Sequence, residues 1–254
     1  MGYFLCMGRV VVITPTYNEA ETIDEHIRNV LSVLSSAGID GHILIIDDNS
    51  PDGTAEIVSK IANSSDRVML IVRPGRMGLG SAYINGFRHV LEKMEDVEAV
   101  VEMDADGSHD SHALPQLVAP ILRGEFDVVV GSRYVGWGRW SGETRGRELI
   151  SRGANFLARI CTGVKVKDLT SGYRAISARI LRLVIDDLKA ASRGYTFQVE
   201  SLVEYANRGA RIKEVPIIFL PRRKGKSKLG ISEIIYFFLW NVKYFFSRRV
   251  PRIF

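Results

Sequence analysis

The sequence predicts an α/β fold in which a mainly parallel β-sheet is flanked by helices. Strand-like apolar runs alternate with helical patterns along the first half of the chain, which is typical of such sheets. The 254 residues, 46% of them hydrophobic, are enough for one large α/β domain or two small ones. Polar and acidic residues follow several of the strands, at the edge where open α/β sheets bind ligands.

Five strands are predicted in this half, at residues 9–14, 42–47, 68–72, 99–103 and 127–130. The helix after the first strand carries a one-sided apolar stripe and ends at Gly38. The stripe consists of Ile23, Ile27, Val30, Leu31 and Leu34. A second helix is expected from Thr54, and a third follows the glycine-rich segment 74–80 and ends near Lys93. That segment has neither Walker A nor dinucleotide-fingerprint spacing, so it is interpreted as a helix-start turn near phosphate.

Composition excludes several classes of protein. No stretch reaches the 18 or so apolar residues of a spanning helix, and the first residues lack the pattern of a signal peptide, so we expect a cytoplasmic protein. Cys6 and Cys161 lie far apart, which predicts reduced thiols and neither a disulfide framework nor a zinc site.

The net charge of +5 is unevenly distributed along the chain. From Pro221 onward nine basic residues face the single acid Glu233, a local charge of +8, which leaves −3 for residues 1–220. The basic end predicts an anionic partner: nucleic acid, a membrane surface or a phosphate-bearing substrate.

Residues 136–147 are predicted to form a mobile loop. The segment contains four glycines, two tryptophans and three arginines, a composition that suits a lid or binding loop for an amphiphilic anion. A disordered surface loop is the alternative.

Asp104 and Asp106 are the most informative residues of the sequence. They leave a predicted strand at alternate positions, so both carboxylates can turn toward one divalent cation whose remaining ligands are substrate phosphates. Acidic residues after strands also cap helices, so the pair alone leaves both readings open. Among the acids after the second strand, Asp52 suits a turn or cap and Asp48 is the better ligand candidate.

Ordered motifs along the chain resemble a known family. PTYNE, IDDNSPDGT, MDADGSH and GSR resemble the family 2 glycosyltransferases, which have the A-type nucleotide-sugar-binding fold. DLTSGYR, GYTFQVE, EVPIIF and GKSKLG in the second half are similar to the dolichol-phosphate mannose synthases. The resemblance extends from about Val10 to Gly230, and it is the ordered combination of motifs that is specific.

The resemblance implies transfer of mannose from GDP-mannose to dolichyl or polyprenyl phosphate, for glycan or glycolipid synthesis. By position, the guanosine part would be held by Pro15, Tyr17, Glu19, Ile46 and Asp48, and the diphosphate would lie against Asp104, Ala105 and Asp106. Asp106 and Ser108 would bind Mg²⁺ or Mn²⁺, Arg133, Arg147 and Ser151 would hold the acceptor phosphate, and Arg222 and Lys228 would close over the donor. Arg174 would lie beside the site. Some relatives have an amide at the position of Ser108, and Gly107 replaces a usual Leu, so Ser108 is the weaker ligand.

The chemistry needs no general base. Negative charge grows on the leaving diphosphate, where a cation and basic side chains stabilise it. A phosphate monoester acceptor has a second pKa of about 6 and is already largely dianionic at neutral pH. We therefore expect a single inverting displacement in which Asp104 and Asp106 serve the donor and Arg133 and Arg147 orient the attacking oxygen. His109 and His112 are predicted to be structural, and Glu200 is either an ordinary helix residue or a support for a basic group.

The end of the chain, residues 231–254, is predicted to be a basic, amphipathic, membrane-associating tail after a catalytic domain at residues 1–230. The apolar face of its helix consists of Ile231, Ile234, Ile235, Phe238, Leu239, Val242, Phe245 and Phe246. Ser232, Glu233, Asn241, Lys243 and Ser247 are on the polar face. Packing of the helix on the domain or on another subunit is the alternative, and a separate membrane subunit is conceivable.

Two other functions compete with this interpretation. A polyprenyl-phosphate glucosyltransferase that uses UDP-glucose has the same requirements, and a catalytically silent binding module would keep the fold. A nucleic-acid binder would explain the basic end but not the acidic strand ends, so no nucleic acid partner is expected. The resulting expectation is a peripheral enzyme at the cytoplasmic face of a membrane.

Overall fold

A computed structural model describes residues 8–142, 145–189, 194–222 and 230–247 of the chain. The strands are β1 (Arg9–Thr16), β2 (Gly41–Asp47), β3 (Val68–Val72), β4 (Val97–Glu102), β5 (Val128–Ser132), β6 (Arg139–Trp140), β7 (Arg174–Ser177), β8 (Ile212–Pro216) and β9 (Ile218–Phe219). The helices are α1 (Ile23–Ser36), α2 (Thr54–Ala62), α3 (Leu79–Lys93), α4 (Leu114–Leu122), α5 (Arg145–Thr162), α6 (Ala178–Val184), α7 (Gly194–Asn207) and α8 (Ile231–Ser247).

Seven strands form one sheet in the order β3-β2-β1-β4-β7-β5-β8. All neighbours pair in parallel except β7, which is antiparallel to both β4 and β5. The strand order reverses between β1 and β4, and the crevice outside their carboxyl ends is where such sheets bind ligands. The predicted α/β fold with a mainly parallel sheet is therefore confirmed.

Helices cover both faces of the sheet. On β1, Val11 and Ile13 pack with Tyr83, Phe87 and other residues of one core cluster. Val10 and Val12 belong to a second cluster with residues of α1 and α4. All four β1 side chains are fully buried, which explains why this strand is a continuous apolar run in the sequence.

Gly86 allows α3 to pack closely on β1. A Cβ atom at this position would lie only 2.8 Å from Cγ2 of Ile13, closer than two carbon atoms can approach. Any larger residue would push the helix away from the sheet, and with it the amino end of α3 at the carboxyl edge.

The predicted loop at residues 136–147 is wrong in part. Arg139 and Trp140 form β6, which pairs in parallel with β9, and α5 begins at Arg145. Residues 143 and 144 lie outside the described part of the chain. Trp137 is exposed, whereas Trp140 is partly buried against the ring of Phe219 at a centroid distance of 4.9 Å.

The predicted helix near the end of the chain is present as α8, but one side of it differs from expectation. Asn241, predicted on the polar face, is fully buried, and Phe237 is buried with it where α8 packs on α5 and α7. Asn241 Nδ2 donates to the Phe237 carbonyl oxygen at 2.8 Å. Much of the predicted apolar face is solvent-exposed: Ile234, Ile235, Phe238, Leu239 and Phe246 are each 45–62% exposed. Within the described ranges, no helix is long and apolar enough to cross a membrane.

Candidate functional site

The acidic loop after β4 lies at the carboxyl edge of the sheet. Asp104 is partly buried, while Ala105 and Asp106 are 3% and 5% exposed. Gly107 has a φ of +77°, a conformation that favours glycine, and the next residue turns back toward the motif. The Ser108 backbone N–H donates to Asp106 Oδ1 at 2.9 Å. The local fold therefore fixes the carboxylate of Asp106 through the chain that follows it.

His109 supports this loop as a neutral imidazole. The Asp104 N–H donates to His109 Nδ1 at 3.1 Å, so Nδ1 acts as the acceptor. Burial lowers the pKa of His109 to about 4; Asp106 opposes this shift, and Arg133 and Arg222 add to it. The ring stacks on Tyr173 with centroids 4.7 Å apart. These contacts fit the structural role that was predicted for His109. His112 is exposed and pairs with Asp110, which also fits a structural role.

The segment after β9 brings a basic residue to the acidic loop. The Leu220 N–H donates to the Ser108 carbonyl oxygen at 3.0 Å, and Arg222 Nε lies 3.0 Å from Asp106 Oδ2. Burial alone would raise the pKa of Asp106, but Arg222 and the contacts from Ser108 outweigh it and lower the pKa. Asp106 is therefore held as a carboxylate. Lys228, also predicted to face the donor, lies outside the described residues.

The residues at this position fit a divalent cation that is held mainly by its substrate. The Ser108 hydroxyl is buried close to Asp106, yet it makes no well-formed hydrogen bond to any described residue, which leaves an oxygen available as a ligand. No group of three His, Cys, Asp or Glu side chains suited to a metal occurs in the described ranges. The protein would supply only two ligands, the Asp106 carboxylate and the Ser108 hydroxyl. Such a small number is usual for Mg²⁺ when substrate phosphates complete its coordination shell.

The predicted guanosine residues gather at the ends of β1 and β2. Tyr17 lies under the Arg76 guanidinium at 4.5 Å from the ring centroid, which makes an aromatic and cationic wall. Asp48 accepts a hydrogen bond of 2.6 Å from Arg73 Nε. The side chain of Ile46 is fully buried in the core, so only its backbone is available at this edge. Pro15 and Glu19 are partly buried in the same region.

Among the acids after β2, Asp52 has the turn role that was predicted for it. Asp52 Oδ1 accepts from the Thr54 N–H at 3.0 Å and from its hydroxyl, so Asp52 closes the turn before α2. The burial of Asp47 was not anticipated: its carboxylate accepts from Thr16 and Ser50 and ties the ends of β1 and β2 together.

A cavity of about 850 Å³, including its open mouth, lies beside the acidic loop. It is enclosed by α5, α7, α8, β6 and β9. Its charged and polar lining residues are Arg133, Arg147, Arg222, the acid Glu233, Ser151, Thr170 and Tyr195, and its apolar ones include Trp140, Ile150, Phe219, Ile234 and Phe237. The structure therefore brings the three predicted acceptor residues, Arg133, Arg147 and Ser151, to one apolar cavity. Arg222 lines this cavity and also touches Asp106, so the two halves of the site adjoin.

Arg133 is firmly held within the wall of this cavity. Its Nε and Nη2 donate to the two oxygens of Asp168 at 2.8 and 2.6 Å, and Nη2 also donates to Thr170 at 2.9 Å. The guanidinium lies over the Trp140 ring at 4.5 Å. Asp168 is fully buried, so this is a desolvated, bidentate ion pair that orients Arg133. Ser151 accepts a hydrogen bond from the Tyr134 hydroxyl at 2.8 Å.

Arg174 does not fit its predicted position beside substrate. It is fully buried, and its guanidinium donates to the backbone carbonyl oxygens of Gln198 and Leu169 at 2.6 and 2.5 Å. It does not line the cavity that contains Arg133 and Arg147. The antiparallel strand β7 places it in the sheet instead, where it faces the protein interior.

Several residues of the site were not singled out from the sequence. Asp168 and Thr170 stand in the motif DLTSGYR and Tyr195 in GYTFQVE, so their motifs were noticed but their roles were not. Glu200, which the sequence did single out, is a buried residue of α7 that forms an ion pair of 3.5 Å with Lys189, an exposed lysine that does not line the cavity.

Comparison with known proteins agrees with this arrangement. Residues 11–184 match the sequence profile of glycosyl transferase family 2. The chain is 41% identical over 223 residues to an undecaprenyl-phosphate mannosyltransferase of Micrococcus luteus, covering 87% of this chain and 88% of the relative. It is 39% identical over 228 residues to a polyprenol monophosphomannose synthase of Mycolicibacterium smegmatis, covering 89% and 83%.

Solved structures share the fold at lower sequence identity. A glucosyl-3-phosphoglycerate synthase from Mycobacterium tuberculosis, crystallised with Mn²⁺ and UDP-glucose, superposes with a TM-score of 0.63 at 23% identity. The match covers 95% of this chain and 79% of that one.

Proposed function

Because the chain belongs to glycosyl transferase family 2, we propose that it transfers mannose from GDP-mannose to a polyprenyl phosphate, giving polyprenyl phosphomannose and GDP. Two relatives at about 40% identity carry names that state mannosyl transfer or phosphomannose synthesis on a polyprenol carrier. The observation that carries the proposal is the adjacency of two unlike subsites. Asp106 lies at the sheet edge, and an apolar cavity with arginines in its wall begins at the Arg222 that touches it.

On the donor side, Tyr17 and Asp48 are the proposed guanosine contacts and Asp104 faces the diphosphate. The donor brings its own negative charge to an edge that already carries Asp104 and Asp106, so it needs a counter-ion there. Asp106 and Ser108 would hold Mg²⁺ or Mn²⁺, which when bound supplies positive charge to the leaving diphosphate. A distant fold relative was crystallised with Mn²⁺ and a nucleotide sugar.

Arg222 has two proposed roles, one before the donor binds and one after. Without donor it neutralises Asp106 across 3.0 Å. A bound diphosphate offers more negative charge than one carboxylate, so Arg222 is free to turn from Asp106 to the leaving group.

On the acceptor side, the phosphate head group would lie among Arg133, Arg147 and Ser151 while the first isoprene units occupy the apolar part of the cavity. Asp168 fixes the plane of the Arg133 guanidinium before substrate arrives, so less orientational freedom is lost on binding. The acceptor oxygen is already anionic at neutral pH, and it attacks the anomeric carbon as the bond to GDP breaks. Burial lowers the pKa of His109 to about 4, so its ring is a weak base, which agrees with a displacement that needs no base.

The exposed apolar surface of α5 and α8 supports peripheral association with a membrane. On α5, Leu149, Ile150, Phe156 and Ile160 are each 55–72% exposed, next to the exposed apolar residues of α8. We call this combined surface the α5–α8 face. It adjoins the mouth of the cavity, and Ile150 and Ile234 belong to both. A lipid-linked acceptor could enter the cavity from a membrane that covers this face.

The experiment supplies purified protein and Mn²⁺ with either GDP-mannose or UDP-glucose, with and without a polyprenyl phosphate. Lipid-linked mannose from GDP-mannose alone is the expected result. Formation of lipid-linked glucose from UDP-glucose alone would show that the donor is UDP-glucose and not GDP-mannose. Formation of no lipid product from either sugar nucleotide would indicate a catalytically silent binding module.

A matched pair of variants tests the acceptor subsite. Arg147→Gln removes a charge from the cavity wall and should raise the acceptor KM by about tenfold, the size of one lost charge-assisted hydrogen bond. Arg145→Gln removes an equal charge two residues earlier on α5, at a position that does not line the cavity, and should leave that KM unchanged. Equal KM values for the two variants would show that Arg147 does not bind the phosphate.

A further inference from the structure

Glu102 is a buried carboxylate that the mechanism above does not use. It is the last residue of β4 and stands two positions before Asp104. The residue is fully buried, and neither carboxylate oxygen forms a well-shaped hydrogen bond with the described residues, although the Gln198 side chain is close enough to lower its pKa. Burying a carboxylate in this way is costly, so its presence under the acidic loop needs an explanation.

The residue directly opposite Glu102 is Arg174. The two are cross-strand partners in the antiparallel pairing of β4 with β7, and both are fully buried. No hydrogen bond joins their side chains, but each charge partly compensates the other electrostatically in a medium where an isolated charge would cost several kcal/mol. An apolar pair of similar size could fill the same space without that cost, so stability alone does not account for this pair.

Arg174 in turn holds the loop that positions the acceptor arginine. Its Nη2 donates to the Leu169 carbonyl oxygen at 2.5 Å, and the residue before Leu169 is Asp168. Asp168 is the residue that fixes Arg133 through two hydrogen bonds. Contacts therefore run from Arg174, the cross-strand neighbour of Glu102, through residues 168–169 to Arg133. Glu102 acts on Arg174 through its charge, because no hydrogen bond joins the two side chains.

We propose that Glu102 is a positioning residue that, through Arg174, keeps the donor-side loop and the acceptor-side Arg133 in the relative arrangement needed for transfer. This inference rests on the proposed function. The ionised form of Glu102 is the one that balances Arg174. Burial raises the pKa of Glu102 to about 7, with Arg174 and Gln198 opposing and Asp104 adding to the shift. The other groups that face this pair are the hydroxyls of Tyr83 on α3 and Tyr205 on α7.

The main test is Glu102→Gln, which keeps the shape and removes the charge. We expect kcat for mannosyl transfer to fall at least tenfold while the KM for GDP-mannose stays within about twofold, because the donor contacts themselves remain. Asp127→Asn is the matched control. Asp127 is also a buried carboxylate paired with arginines, Arg179 and Arg211, but at the opposite end of the sheet, so its loss should leave kcat unchanged.

A double-mutant cycle identifies the partner. Arg174→Gln should lower kcat by a similar factor, and Glu102→Gln combined with Arg174→Gln should lose little more than either alone, because both break one connection. If the factors by which the two single substitutions lower kcat multiplied in the double variant, Glu102 and Arg174 would act independently and the inference would be wrong. If Glu102→Gln does not fold, the pair of substitutions Glu102→Met and Arg174→Met leaves no unpaired charge and is measured instead. Wild-type kcat in the folded single variant or in this double variant would overturn the inference. Absence of transfer by the wild type would instead remove the proposed function.

Discussion

The carboxylate of Asp106 is positioned so that one of its oxygens can exchange a protein partner for a bound cation. One oxygen accepts a backbone N–H from Ser108, and the other faces Arg222, so both are satisfied without ligand. The Ser108 contact belongs to the loop itself, whereas Arg222 comes from a separate segment and can move away. This difference predicts that a cation and donor compete with Arg222 for one oxygen while the loop geometry stays fixed.

Asp106→Asn tests this residue. The amide keeps the shape but loses the charge that a divalent cation requires, so we expect transfer to fall by at least a hundredfold and its dependence on Mn²⁺ to disappear. The readout is the initial rate across a Mn²⁺ titration. Asp110→Asn changes an acid four residues away, whose side chain accepts from the His112 N–H, and should retain the wild-type metal dependence. Normal metal-dependent transfer by Asp106→Asn would exclude the proposed cation site.

His26 predicts how stability depends on pH. Its ring contacts Thr14 Oγ1 at 3.1 Å, and burial lowers its pKa to about 4, with His109 adding to the shift and Asp106 opposing it. The unfolded residue takes up a proton near pH 6.5, whereas the folded ring stays neutral until about pH 4. Stability due to this group is therefore present above pH 6.5 and is lost as the pH falls toward 4.

The measurement compares the wild type with His26→Gln by urea unfolding at pH 7.5 and 5.5. Between these values the wild type should lose about 1.4 kcal/mol more than the variant, the linkage free energy of one pH unit below the unfolded pKa. Glu102 and other titrating groups are common to both proteins, so the difference isolates His26. Equal losses would show that His26 is protonated in the folded state.

Among the secondary-structure elements, those with a strong local sequence pattern were predicted, and those that depend on pairing with a distant segment were not. Strands β1 to β4 were predicted within about two residues, because each contains an apolar run, and most residues of β1, β2 and β4 are buried. Strand β6 has two residues and exists through its pairing with β9, about 80 positions along the chain, so the glycine-rich local sequence suggested only a loop.

The same distinction applies within the site. The family resemblance led to Asp106, Arg133, Arg147 and Ser151, which the structure places at the acidic loop and in the adjoining cavity. The misplacement of Arg174 has a topological cause: β7 is antiparallel and inserts between β4 and β5, which chain order does not reveal. Likewise, a helical wheel gives the apolar face of α8 but not which side packs on α5, so the burial of Asn241 was missed.

The α5–α8 face predicts a membrane-binding defect without a catalytic one. Leu149→Asp combined with Phe238→Asp places two charges on this face, where both side chains are more than half exposed and packing should not suffer. We expect sedimentation with anionic vesicles to fall at least tenfold. Two apolar side chains that would insert into the lipid are lost, and two negative charges are brought against an anionic surface. Transfer to a short, water-soluble acceptor should stay within about twofold.

Leu183→Asp is the matched control for this experiment. Leu183 is 49% exposed on α6, away from the α5–α8 face, and its substitution should leave vesicle binding intact. Undiminished sedimentation of the α5–α8 variant would mean that the face is covered by something other than a membrane.

For the molecule as a whole, the proposed donor site includes segments that follow four strands of the sheet. The ends of β1 and β2, the turn before α3, the loop after β4 and the segment after β9 all meet at one edge. A nucleotide bound there contacts residues that are distant in the unfolded chain. Binding should therefore stabilise the folded state as a unit, and the size of the effect measures base preference without an assay for transfer.

Thermal unfolding with nucleotides makes this prediction quantitative. GDP with Mn²⁺ at a hundredfold excess over its Kd should add about 2.7 kcal/mol, which for a chain of this size raises Tm by roughly 5–10 °C. UDP at the same concentration should give a much smaller shift, because the groups that bind guanine are left unpaired by uracil. In Asp106→Asn the GDP shift should no longer depend on Mn²⁺, which separates the base contribution from that of the cation. An equal or larger shift with UDP would contradict GDP-mannose as donor and favour a UDP-sugar, while leaving the acceptor cavity and the α5–α8 face to be judged by their own variants.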